Sequence, residues 1–190
     1  MRKLARAIFA SAVLASYSVA AEAEDDRVYA TNSDWSVYEN VVTNSCYALR
    51  AYTTDKYGLV MFRVSYLPAE KAVFLHFSSE LTTSLPDVGT VEANIVFTDN
   101  GDELWDDLWP ERTFDVEKED TVYLFTTPFV GTTQVDQILN DVSASSAVLL
   151  QRNEKTFSGI LLDGSAQAIK NLKSCSLSLA GINPDDPFAF

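Results

Sequence analysis

The chain has 190 residues, of which 47% are hydrophobic and 12% are aromatic, and its formal net charge at pH 7 is −13. A composition this apolar excludes an intrinsically disordered chain, and the length is enough for one domain with a hydrophobic core. The negative charge disfavours binding to nucleic acid or to an anionic membrane surface, because both would repel the protein.

Residues 1–23 have the pattern of a bacterial signal peptide of the Sec type. Three basic residues precede an apolar run from Ala7 to Ala15, and Ala21-Glu22-Ala23 offers a small-residue cleavage site. The run is shorter than the roughly 20 residues that span a bilayer, so we predict export without stable membrane insertion. The exported chain would be periplasmic or secreted, and removal of the leader changes the net charge to −15.

We predict a single β-rich globular domain over residues 24–182 and a flexible C-terminal tail over 183–190. Glu22–Arg27 also looks loosely held, so we expect Trp35 to open the first strand. From Trp35 onward the apolar residues recur mainly at every second position, which is typical of half-buried strands. Asn100-Gly101 is a strong hairpin signal, because both residues tolerate the positive φ of a type I′ turn. These patterns predict antiparallel sheet.

Two segments have helical periodicity instead. Thr133–Ala144 places apolar residues at i, i+3, i+4 and i+7, which is one buried stripe of a helix. A second helix is expected to begin after Gly164, with Ser165 capping its first turn and Cys175 at its end. The predicted fold is therefore α+β, mainly antiparallel β of sandwich or half-barrel type, with two short helices.

The chain has two cysteines, Cys46 and Cys175. An exported chain meets an oxidising environment, in which an even number of cysteines usually pairs, so we predict one disulfide. It would join the last helix to an early strand. A metal site or a catalytic thiol is poorly supported, because there is no C-x-x-C motif and the only histidine, His76, is distant from both cysteines in the sequence.

His76 alternates with Leu75 and Phe77 and therefore shares a strand face with Phe74 and Ser78. No Gly-x-Ser-x-Gly motif singles out a serine for a Ser-His-Asp triad, so a structural or surface histidine is the better interpretation. The acidic stretch that begins at Asp99 lacks the residue order of an EF-hand loop. We predict no metal site and no cofactor.

The segment Leu104–Pro110 carries the candidate binding residues Trp105, Asp106, Asp107 and Trp109. Read as a short helical turn, it has one apolar face that is either a plug in the core or an exposed aromatic patch rimmed by acidic residues. If exposed, the patch would suit a cationic protein or peptide.

The order of these features resembles that of small periplasmic proteins of Gram-negative bacteria, including the invasion-associated locus B-like group. The resemblance is carried by the export signal, Trp35, Cys46, and the segment Phe157–Ile169 with Cys175 beyond it. It implies export, a β-rich fold and a host- or envelope-related role, and it carries over no catalytic residue. The chain departs from that group in keeping only two cysteines, with the second at the end of the helix.

We therefore expect an exported, non-enzymatic binding protein whose acidic surface engages a cationic protein, such as an envelope protein, a host protein or an inhibited enzyme. One alternative is a carboxylate-dependent hydrolase that uses residues among Asp102, Glu103, Asp106 and Asp107. Another is an envelope-associated structural protein held by a Trp105/Trp109 patch. The sequence leaves the oligomeric state open.

Overall fold

The computed structural model describes residues 26–55, 58–80, 88–99, 103–104, 109–153 and 155–183. The predicted signal peptide, the Asn100-Gly101 turn and all but the first residue of the predicted tail lie outside these ranges. Within them, mainly antiparallel strands are combined with two α-helices and one disulfide, so the predicted fold class is confirmed.

The described residues contain eleven strands and two helices. The strands are β1 (Asp26–Asn32), β2 (Trp35–Asn40), β3 (Ser45–Thr54), β4 (Gly58–Leu67), β5 (Ala72–Glu80), β6 (Val88–Asp99), β7 (Glu103–Leu104), β8 (Arg112–Glu119), β9 (Val122–Val130), β10 (Ala147–Arg152) and β11 (Lys155–Leu161). The helices are α1 (Thr132–Ala144) and α2 (Ser165–Leu179).

The strands form one sheet in the order β1-β2-β3-β4-β5-β9-β8-β6-β10-β11, and β7 pairs with β6 beside this path. The long strand β6 changes partner along its length. Val88–Ala93 pair with β8, and Asn94–Thr98 pair with β10. A strand shared in this way lets a sheet turn a corner, and β10 and β11 consequently form a second layer in which β11 packs on β4 and β5.

The core lies between the two layers and beneath the helices. Strand side chains alternate between the two faces of a sheet, and those that point to the core are mostly large and apolar. Five phenylalanines are 1% exposed or less: Phe62, Phe77, Phe114, Phe125 and Phe129. The rings of Phe62 and Phe77 are 4.8 Å apart between centroids, which places aromatic contacts at the centre of the sheet.

The first strand is β1, so the expectation that Trp35 opens the sheet is wrong. β1 pairs with β2 from Asp26 to Asn32, although a register shift interrupts the pairing between Val28 and Ala30. Most of its side chains are exposed, so the strand lacks the alternation that periodicity detects. Backbone pairing with β2 holds it instead, and Asp26 and Arg27, which were expected to be loosely held, are part of it.

Helix α1 matches its prediction, because it spans Thr132–Ala144 and buries the expected apolar stripe. Helix α2 begins after Gly164 as predicted, but its cap and its end differ from the prediction. Ser165 makes no capping hydrogen bond; Gly164 occupies the cap position with a φ of 82°, a conformation that glycine adopts without strain. The helix also continues one turn past Cys175, to Leu179. Neither helix of the described residues is long and apolar enough to cross a bilayer.

The disulfide joins Cys46 in β3 to Cys175 in α2, as predicted from the cysteine count. The two Cα atoms are 6.1 Å apart, and both residues are buried. The bond closes a loop between residues separated by 129 positions. It therefore restricts the unfolded chain over most of the domain and fixes α2 to the β2–β3 hairpin.

We expect the variant Cys46→Ala/Cys175→Ala to lose about 2 to 5 kcal/mol of unfolding free energy, because its unfolded chain is no longer cross-linked. Urea unfolding of the two proteins, each with and without reductant, measures the loss. Reductant should weaken the parent protein and leave the variant unchanged. Equal midpoints for the oxidised parent and the variant would contradict the prediction.

The outer edge of β11 is capped by side chains from β3 rather than by another strand. The Tyr52 hydroxyl accepts a hydrogen bond from the Leu161 amide at 2.8 Å and donates to the Gly159 carbonyl at 3.4 Å. Arg50 Nη1 donates to the Leu161 carbonyl at 2.6 Å. These bonds satisfy backbone groups that would otherwise be open to pairing with another chain.

We expect Tyr52→Phe to lose about 0.5 to 1.5 kcal/mol of stability, because the ring stays in place while both hydrogen bonds of the Tyr52 hydroxyl disappear. Amide hydrogen exchange provides the specific measurement. The Leu161 amide should exchange faster, whereas the amide of Ile160, which pairs with Val148 of β10, should keep its protection. Unchanged exchange at Leu161 would show that the hydroxyl does not cap this edge.

Candidate binding surface

The side of the sheet that faces away from the core layers is the candidate site, and we call it the outer face. It is formed by every second residue of β2 to β5, β8 and β9, and it is half-buried or exposed at most positions. Three groups of polar side chains are found on it: carboxylates on one side, tyrosines with an arginine on the other, and the single histidine across the strands from that arginine.

Three carboxylates, which we call the acidic row, lie at the β6–β8 side of the outer face. Glu92, Asp115 and Glu117 are exposed. Asp115 lies between Thr90 and Thr126 across the strands, and Glu117 lies between Val88 and Leu124. The cross-strand neighbours of both carboxylates are therefore uncharged.

An aromatic cluster with one cation lies on the opposite side of the outer face. The rings of Tyr38 and Tyr47 stack with their centroids 5.1 Å apart, and the guanidinium carbon of Arg63 lies 3.8 Å from the centre of the Tyr47 ring. Arg63 Nε also donates to the Ser65 hydroxyl at 3.1 Å. Cation–π contact and stacking therefore hold the arginine against the sheet surface.

Asp26 of β1 fixes the position of the aromatic cluster. Its carboxylate accepts hydrogen bonds from the Tyr47 hydroxyl and from Asn40 Nδ2, the latter at 2.7 Å. Burial, followed by the hydrogen bond with Asp26 and its charge, raises the pKa of Tyr47 well above its ordinary value. Tyr47 is therefore a neutral hydrogen-bond donor at physiological pH.

His76 lies at the centre of the outer face, on the same face as Phe74 and Ser78, as the alternation predicted. Its Nδ1 is 3.1 Å from the Thr126 hydroxyl, and Arg63 is its partner on β4. Burial, with a smaller contribution from the charge of Arg63, lowers the pKa of His76 to about 3. A general base works best with a pKa near the ambient pH, so this environment favours a structural role.

The low pKa makes stability depend on pH. Between about pH 3 and the ordinary histidine pKa of 6.5, the unfolded chain binds a proton that folded His76 does not. Above about pH 6.5, His76 is neutral in both the folded and the unfolded chain, so it does not lower the unfolding free energy there. We expect the unfolding free energy to fall as the pH is lowered below 6.5, by at most about 1.4 kcal/mol per pH unit.

Chemical unfolding of the parent protein and His76→Gln at several pH values between 4.5 and 7.5, a range set by the pKa shift from 6.5 to about 3, measures this effect. The difference between the two proteins isolates His76, because the carboxylates contribute to both. We expect the variant to lose less stability on acidification. Parallel curves would contradict the lowered pKa.

Trp109 is a core residue, which agrees with the core-plug interpretation of its segment and not with an exposed aromatic anchor at this position. It is 6% exposed, and its ring meets Phe129 edge-on with centroids 5.0 Å apart. Its Nε1 donates to Asp141 of α1 at 2.8 Å. Burial of the ring with its polar atom paired explains why tryptophan is stable in this position.

The other predicted site residues fall mainly outside the described ranges. This applies to Trp105, Asp106 and Asp107 of the candidate patch and to Asp102 of the hydrolase alternative. Glu103 lies in β7, where its backbone pairs with that of Asp99. In the described part of the chain, no three histidine, cysteine or acidic side chains are grouped so that they could hold a metal ion.

The sequence contained a signal for the acidic row that composition alone did not reveal. In β8, Asp115 and Glu117 alternate with Phe114 and Val116, which are buried, so both carboxylates share the outward face. The aromatic cluster had no such signal, because Tyr38, Tyr47 and Arg63 belong to three different strands.

Comparison with known families, with curated proteins and with solved structures finds no match to this chain. The resemblance to the invasion-associated locus B-like group therefore stays a prediction.

Proposed function

We propose that the protein is an exported binding protein without a catalytic centre, and that its acidic row contacts a cationic protein partner. The observation that carries the proposal is the acidic row: its three carboxylates are exposed on one side of the sheet, and Asp115 and Glu117 have only uncharged cross-strand neighbours. Like charges on neighbouring positions repel each other. A cationic segment over the row relieves that repulsion and adds attraction.

The spacing of the row suits an extended partner. Asp115 and Glu117 are alternate residues of one strand, so their Cα atoms are about 6.6 to 6.8 Å apart. An extended chain with lysine or arginine at alternate positions has the same repeat. Next to Glu117, Val88 is 77% exposed and Leu124 is half-buried, which offers apolar contact to the side chains between the cations.

The other features of the outer face support binding rather than reaction. His76 is a poor base at neutral pH for the reason given above, and Tyr47 and Arg63 are engaged in contacts within the sheet. The net charge supports the same partner class, because a negative field attracts cationic proteins and speeds their association.

The test uses two peptides of identical composition, one with lysine alternating with threonine and one with the lysines in a single block. We expect the alternating peptide to bind more tightly. The variant Asp115→Asn/Glu117→Gln should weaken its binding by about 2- to 30-fold, since an exposed ion pair contributes about 0.2 to 1 kcal/mol. Calorimetry at low and at physiological ionic strength gives both affinities.

The matched control is Asp55→Asn/Asp163→Asn, which removes the same charge from exposed positions elsewhere. We expect this control to bind the alternating peptide almost as the parent protein does at physiological ionic strength, because distant charges are screened there. Equal weakening by both double variants, or equal affinity for the two peptides, would reject the acidic row as the contact surface.

A further inference from the structure

A groove with a volume of about 190 Å³ lies beside the disulfide, and none of its lining residues belongs to the acidic row. Three parts of the chain meet to form it. They are the β2–β3 turn, the end of β4 with the following 3-10 turn (Pro68–Glu70), and the last turn of α2. Its lining comes from the ranges Thr43–Cys46, Tyr66–Glu70 and Ser176–Ala180.

The charge around the groove favours a cation. Glu70 lines it with an exposed carboxylate, and none of the lining residues is basic. The C-terminal end of α2 adds a partial negative charge, which backbone amides that bond to the carbonyls of Ser176, Leu177 and Ser178 reduce, and the last turn of this helix has no basic residue. Both contributions have the same sign.

The groove also contains acceptors for hydrogen bonds. Ser176 lines it, is 3% exposed, and has a hydroxyl without a hydrogen-bond partner in the described structure. Thr43 and Ser45 bring two further hydroxyl oxygens, which are hydrogen-bonded to each other at 2.8 Å while Thr43 donates to Asn40 Oδ1, so each keeps a lone pair as an acceptor. A buried polar atom without a partner is unfavourable, so a ligand that reaches the buried Ser176 hydroxyl and donates to it would correct a deficit in the free protein.

Much of the remaining wall is apolar, because Leu67, Pro68 and Leu179 line it. The volume is well below the roughly 300 to 1,000 Å³ of sites for drug-sized ligands, so the groove suits a group no larger than one long side chain. Methylene groups fit the apolar wall, and an ammonium group has three donors and no acceptor, which matches a carboxylate and several hydroxyl oxygens.

We infer that this groove binds an alkylammonium group, supplied either by a lysine side chain of a partner or by a small free amine. The inference deepens the proposed function, because the groove would give a cationic partner a second contact. A partner's lysine as the source of the ammonium group rests on the proposed function. The chemistry of the groove itself is independent of the acidic row.

The test titrates the exported chain with n-butylamine hydrochloride, followed by the amide chemical shifts of Glu70 and Ser176. n-Butanol is the uncharged control ligand, and N-acetyl-lysine methylamide represents a lysine within a chain. We expect saturable shifts with the amine and with the lysine derivative, and none with butanol. Binding of the amine alone would assign the groove to small free amines rather than to a lysine of a partner.

Three variants locate the binding. Glu70→Gln should weaken amine binding by about fivefold, as expected for a partly exposed ion pair. Ser176→Ala should also weaken amine binding without lowering the thermal unfolding midpoint, because the buried hydroxyl has no partner to lose. Glu111→Gln removes the same charge as the glutamate variant from an exposed position outside the groove and should have no effect.

The absence of saturable shifts would overturn the inference, as would equal shifts with butanol or equal weakening by Glu70→Gln and Glu111→Gln. Failure here is distinguishable from failure of the proposed function. If the amine does not bind but peptide binding still depends on Asp115 and Glu117, only the groove is rejected. If the amine binds and the peptide does not depend on those residues, only the acidic row is rejected.

Discussion

The turn between β11 and α2 is held by side chains that reach it from β2 and β3. Arg50, only 6% exposed, donates to the Leu161 and Asp163 carbonyls, and Trp35 Nε1 donates to the Asp163 carbonyl at 3.0 Å. An exposed carboxylate, Asp34, accepts from Arg50 at 3.0 Å and supplies the opposite charge. Because α2 begins directly after this turn, these bonds set its direction, bring Cys175 to Cys46, and place the end of the helix beside the groove.

The same sheet separates apolar and charged chemistry between its two faces. The inward side chains of β8 and β9 form the aromatic core, whereas the outward side chains of β8 carry the acidic row. Net charge alone would allow any distribution of carboxylates over the surface. The alternation of a strand decides that these carboxylates lie together, and burial of the intervening phenylalanine and valine decides which way they point.

Much of the architecture could be predicted, because its signals are local. The apolar stripe of α1 and the paired cysteines are properties of short segments or of simple counts. β1 was missed because pairing with β2 holds it, and pairing is a long-range interaction. Trp109 could not be assigned from its neighbours, since Phe129 and Asp141, which enclose it, are separated from it by many residues.

The amino-acid sequence by itself determined the antiparallel, α+β character of the domain, its acidity and the identity of the two sulfurs that pair, because periodicity and composition act over a few residues at a time. Only the tertiary structure decided that Glu92 of β6 joins the carboxylates of β8, and where the tyrosines with Arg63 and the groove beside the disulfide lie. Each of these is assembled from strands or turns distant in the chain, and strand order and register bring them together.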